Sequence, residues 1–135
     1  MKHILALVLA LGLATPSLAA QPRSLEIERV ISAQFQAFLK DDFDTAFSFA
    51  APSIRQKFGT AQRFGQILTK AFPMVVNPSR VQFLSLETVN GQLVQRVLIE
   101  DEKGVCYFAA YTMIDTSDGW QIRAIELAVV NQMWV

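Results

Sequence analysis

The chain has one cysteine, one histidine and no surplus of either charge: 12 Lys+Arg stand against 12 Asp+Glu in 135 residues. A lone Cys106 excludes a scaffold built on internal disulfides. Charge balance argues against a nucleic-acid surface, which needs a basic excess. Charged residues make up only 18% of the chain and hydrophobic ones 52%, which excludes an intrinsically disordered chain. Internal repeats, low-complexity stretches and linkers are missing, and the length supports one domain.

The leading apolar run, Ile4 to Ala14, is 11 residues long, against roughly 20 for a spanning helix. It follows a basic start, Met1-Lys2-His3. Pro16 breaks it, and the small-residue stretch Ser17-Leu18-Ala19-Ala20 comes next. This order predicts a secretory signal peptide over residues 1–19, cleaved after Ala19 or, alternatively, Ala20. With no cysteine behind the cleavage region and no twin arginine, the expected product is a periplasmic or secreted protein with no membrane attachment. An uncleaved anchor helix is the competing reading.

Cleavage removes Lys2 and His3, leaving 11 basic against 12 acidic groups and no imidazole. A Ser-His-Asp or Cys-His nucleophile system is then excluded, as is a Cys/His zinc site. No metal or other cofactor is expected. The side chain most often used for acid–base work at neutral pH is missing too.

The remainder, 22–130, reads as a single α+β domain followed by an apolar tail, 131–135. Ile27, Val30, Ile31, Gln34, Phe35 and Phe38 recur at helical spacing after Pro22 and Ser24. Asp41 and Asp42 punctuate the chain before a second stripe, Phe43, Ala46, Phe47 and Ala50. Pro52-Ser53 opens a short helix ending near Gly59. Thr60 precedes the stripe Phe64, Ile67, Leu68, Ala71 and Phe72, which Pro73 stops. Four β-branched and aromatic segments follow: Val81 to Thr88, Gln92 to Glu100, Val105 to Ile114 and Trp120 to Val130. Asn90-Gly91, Asp101 to Gly104 and Asp118-Gly119 separate them. Such short connections force an antiparallel meander, with the helices on one face.

A two-residue Asn90-Gly91 loop sets Leu84 opposite Val97. The core face would then carry Leu84, Leu86, Leu93, Gln95, Val97 and Ile99. Val81 and Phe83 would lie on the other face. A two-residue Asp118-Gly119 loop would set Tyr111 opposite Glu126. A four-residue middle turn sends Phe108, Ala110, Thr112, Ile125 and Leu127 to the helix side, with Cys106, Arg123 and Val129. A bulge after Gly104 would reverse that assignment.

Gln95 stands on the core face among leucines and valines, where a buried amide needs partners. It either makes a structural hydrogen bond or lines a cavity between helices and sheet with Thr112 and Gln34. Apolar pockets with a few convergent polar groups are the usual small-molecule sites. Asp41, Asp42 and Asp44 read as helix caps, because the calcium-loop spacing fails at Ala46. Glu100-Asp101-Glu102 reads as a solvated turn. Cys106 is expected to be buried and inert in an oxidising compartment. The second sheet face is half apolar with no helix left to cover it. Tyr107, Tyr111, Arg96, Trp120, Ala124 and Glu126 are its candidate contacts for a homodimer. A semi-polar monomer face, or a tail folded over it, is the alternative.

Several stretches resemble a bacterial family of small exported proteins, domain of unknown function forty-eight sixty-four. They are Ala33-Gln34, Asp41-Asp42-Phe43, Ala46-Phe47, Ala51-Pro52, Phe58-Gly59, Phe72-Pro73-Met74-Val75, Gln95-Arg96-Val97 and Asp118-Gly119-Trp120. The resemblance implies export and a compact domain, and it carries no catalytic residues. Helices followed by a curved four-stranded antiparallel sheet are also similar to the cone-like superfamily of nuclear transport factor two. That fold hosts isomerases, dehydratases and binding modules alike.

The expected function is a non-catalytic binding or accessory module for a small, largely apolar ligand or a periplasmic partner protein. One alternative is a small isomerase or dehydratase using Asp42 or Glu126 with a tyrosine, which would need a carboxyl of raised pKa in an apolar cavity. The other is an interaction protein acting through its sheet face.

Overall fold

A computed structural model describes residues 22–130. The expected signal peptide and the apolar tail lie outside the described residues. Five helices come first: α1 (Arg23–Leu39), α2 (Phe43–Ser48), α3 (Pro52–Phe58), α4 (Ala61–Ala71) and α5 (Pro73–Val76). Four strands follow, β1 (Arg80–Val89), β2 (Gln92–Glu100), β3 (Cys106–Thr116) and β4 (Gly119–Val129), paired antiparallel in chain order. This is the α+β meander that the hydrophobic periods predict. No helix among the described residues is long and apolar enough to cross a membrane.

Local chemistry sets the helix ends. The Asp42 carboxylate accepts from Thr45 N at 3.1 Å and caps α2. Thr60 Oγ1 accepts from Arg63 N at 3.2 Å and caps α4. Pro52 and Pro73 each open a helix at its first turn, where a missing N–H costs nothing. Phe64 is the aromatic hub of the helical layer. The rings of Phe47, Phe58 and Phe38 surround it at centroid distances of 5.1, 5.3 and 5.9 Å. The ring of Phe43 packs against Gly65, so close that a Cβ there would sit 2.4 Å from it. Gly65 therefore serves the α2–α4 contact, despite the roughly 1 kcal/mol glycine costs in a helix.

Sheet register departs from a plain meander in three places. In β1, Phe83 faces Val97 and Leu86 faces Gln95, so Leu84 and Ser85 form a bulge. Val81 and Phe83 thus join the helix side and pack on the core, while Leu84 is turned out and 36% exposed. The expected Leu84–Val97 pair is corrected accordingly. The middle turn holds five residues, 101–105, so Glu100 pairs with Cys106. Tyr107, Ala109, Tyr111 and Met113 then face the helices, and Phe108, Ala110 and Thr112 face away. This is the reversed assignment for β3 alone: Ile125, Leu127 and Val129 pair with Tyr111, Ala109 and Tyr107 and keep the expected helix side. The last hairpin turns at Ser117-Asp118, with Gly119 at φ 90°, the type I turn plus bulge of longer hairpins. Thr112 pairs with Ala124 but Met113 with Ile122, so Arg123 is an extra, bulged residue. Tyr111 consequently faces Ile125 rather than Glu126.

Between α2 and α3 the chain touches the sheet directly. Ile122 N donates to Phe49 O and Ala51 N donates to Ile122 O, both at 2.8 Å, making a one-residue parallel bridge at Ala50. On the other flank of β4, Trp120 Nε1 donates to Glu26 Oε2 at 3.2 Å, tying α1 to the strand.

Candidate functional site

A cavity of about 280 Å³ opens between the helices and β4, near the lower bound for small-molecule sites. Its deep wall is helical: Phe64, Leu68 and Val75, all buried, with Phe72 at the rim. Ala50, Ile54 and Phe58 form the second wall, held by the Ala50 bridge. The third wall is four consecutive β4 residues, Ile122, Arg123, Ala124 and Ile125. A regular strand offers only alternate residues to one side. The Arg123 bulge breaks that alternation, and exposed Arg123 joins the lining beside Ile122 and Ala124. Lys57, exposed on α3, also lines the cavity, and no acidic residue does.

Gln34 is the one buried polar side chain in the lining, only 3% exposed. Its Nε2 donates to Ala46 O at 3.1 Å, across the α1–α2 junction. A backbone carbonyl thus fixes which end of the amide is committed, and no described residue holds the other.

The three expected pocket residues are not brought together. Gln34 lines the cavity. Gln95 is buried elsewhere and plugs the β1 bulge: its Nε2 donates to Leu84 O at 3.0 Å and Arg96 O at 2.9 Å. Its structural reading is the one realised. Thr112 lies on the outer face, because the five-residue middle turn reverses β3.

The candidate dimer face divides as well. Tyr111 is fully buried against Phe35. Tyr107 and Trp120 pack on the core from the helix side. Glu126 and Arg96 are exposed on the outer face, where Arg96 Nε pairs with Glu87 Oε2 at 2.8 Å. Ala124 pairs with the outward Thr112 but also reaches the cavity rim. Cys106 is half-buried rather than buried, because it opens β3 on the outer face.

The residues named for acid–base chemistry are dispersed. Asp42 is a cap, and its carboxyl is held below the usual range by the Thr45 hydrogen bonds. Tyr107 Oη donates to Asp101 Oδ2 at 3.3 Å, a phenol beside a carboxylate. Yet Asp101 Oδ1 accepts from both Lys103 N and Val105 N at 2.9 Å, which is a turn-closing role. Burial pushes the Tyr107 and Tyr111 phenols upward, so both stay neutral at physiological pH. The Tyr111 hydroxyl has no hydrogen-bond partner among the described residues. No group of three or more His, Cys, Asp or Glu able to hold a metal occurs among them either.

A second, more open recess of about 360 Å³ lies at the other side of the Ala50 bridge, beside Arg55, Trp120 and Gln121. Gln121 Nε2 donates to Ser48 O at 3.3 Å, while Gln121 Oε1 and Arg55 Nε are buried without partners among the described residues.

The Lys57–Arg123 mouth is the feature that sequence reasoning missed. The two residues are 66 positions apart, and only the fold brings them to one cavity lining.

Comparison with known proteins gives a family and a fold. The family model described as Domain of unknown function (DUF4864) matches residues 20–134. No curated protein matches. An NTF-2 like protein of unknown function from Burkholderia xenovorans LB400 superposes with a TM-score of 0.50 at 12% identity. The match covers 84% of this chain and 89% of that one. A provisionally assigned dehydratase of the NTF2-like family from Streptomyces avermitilis gives 0.46 at 16% identity, over 81% and 97%. The fold is therefore NTF2-like, with helices on an open four-stranded sheet.

Proposed function

The chain belongs to the DUF4864 family, and we propose that this member is an exported, non-catalytic module that holds one small, largely apolar ligand between its helices and β4. The observation that carries the reading is the cavity itself. It is walled by Phe64, Leu68, Val75 and Ile54, with a single buried amide, Gln34, presented among them. Apolar walls supply the driving force for uptake, about 25 cal/mol per Å² covered, and one polar group fixes orientation. Placement of the acids favours binding over catalysis, because Asp42 caps a helix and Glu126 points to solvent. Export is supported by the basic, apolar and small-residue order of residues 1–20. An exported product is expected to have an intact mass lacking Met1 to Ala19 or Ala20.

Calorimetric titration with octan-1-ol tests the binding. One saturable site is expected, and Ile54→Trp, which fills the cavity from the half-exposed helix α3, should abolish it while the far-ultraviolet spectrum is unchanged. Absence of saturable uptake, or uptake unaffected in a folded Ile54→Trp, would overturn the reading.

A further inference from the structure

We infer that the ligand is an amphipathic anion: an apolar tail in the cavity and a carboxylate or similar head held at the mouth between Lys57 and Arg123. The inference rests on the cavity being a binding site and goes on to name the charge of what it takes.

Three observations carry it. First, the lining is charged in one sense only. Lys57 and Arg123 contribute two cations and no carboxylate lines the cavity with them, in a chain whose acids and bases are equal in number. Second, the ion pairs among the described residues are Arg80–Glu100 and Arg96–Glu87, so neither mouth cation has an acidic partner among them. Third, the two cations come from opposite walls, α3 and β4. Those walls are fixed to each other by the 2.8 Å Ala50–Ile122 bridge, one residue before Arg123. An aliphatic side chain at the bulge would close the mouth equally well. A guanidinium there adds a planar donor fork suited to carboxylate or phosphate oxygens.

The test compares chain-matched ligands on the full chain: octanoate, octan-1-ol and octylammonium, each below its aggregation limit. Octanoate is expected to bind about five- to tenfold tighter than octan-1-ol at low salt, the sum of two exposed charge contacts. Octylammonium should bind weakest. Raising the salt should shrink the octanoate advantage. In Lys57→Gln/Arg123→Gln the ratio of octanoate to octan-1-ol affinity should fall to about one. Both lie on the exposed rim, so the variant is expected to fold. Equal binding of octanoate and octan-1-ol, or a preference that survives the double substitution, overturns the charge assignment and leaves the cavity reading standing. Failure of all three to bind overturns the cavity reading itself. Association with phosphatidylglycerol vesicles without uptake of free octanoate would show a membrane-surface role and overturn the inference.

Discussion

Two buried side chains show how differently polar groups are handled here. Gln95 is 1% exposed, and its Nε2 donates to the Leu84 carbonyl in the β1 bulge and to the Arg96 carbonyl opposite it. Gln95→Leu is expected to destabilise the fold by about 1–2 kcal/mol, because those carbonyls lose their donor. Denaturant melting should show the loss, with octan-1-ol uptake by the folded fraction unchanged. Tyr111 is the opposite case, a fully buried hydroxyl with no partner among the described residues. Tyr111→Phe is expected to raise stability by about 1 kcal/mol. The pH dependence follows from the same burial. The folded phenol titrates above its unfolded value, so its contribution is intact below about pH 10 and is lost as pH climbs beyond it. Wild type should therefore lose stability above that pH more steeply than Tyr111→Phe in alkaline melts. At this scale the sequence was legible in part. A glutamine among leucines announced a bonded amide, but nothing local said whether its partner was a bulge or a ligand.

Elements were legible wherever a punctuating residue decides alone. Asp42, Thr60 and Pro52 mark their helices, Pro73 stops α4 but also opens the unexpected α5, and Asn90-Gly91 makes its turn with φ 50° and 77°. Strand faces were not, because side-chain parity is cumulative. One extra residue at Leu84–Ser85, one at Val105 and one at Arg123 each reverse everything downstream until the next irregularity. None has a residue type that announces it. The aromatic ring of Phe43 on Gly65 gives a sharper element-scale test. Gly65→Ala would usually strengthen a helix by about 1 kcal/mol. Here the new methyl meets the ring at 2.4 Å, so a net loss of roughly 1–3 kcal/mol is expected from overpacking. Thermal melting of the variant measures it, and Gly65→Ala/Phe43→Leu should recover part of the loss.

In the whole molecule, the layers divide their work. The phenylalanine cluster around Phe64 holds the helices together, and the sheet supplies a rigid floor. Between them lies a small apolar cavity with a cationic rim. A ligand that enters only the folded form stabilises it by mass action. Octanoate at a hundredfold excess over its Kd should add about 2.7 kcal/mol to the unfolding free energy, read as a rise in Tm that Ile54→Trp removes.

The Ala50 bridge has a further consequence. β4 ends the sheet, and an end strand offers a rail of unpaired amides on which foreign strands can template. By occupying Ile122 on both its N–H and its C=O, the α2–α3 junction interrupts that rail near its middle. The contact that shapes the cavity thereby also makes β4 a poorer template for a foreign strand.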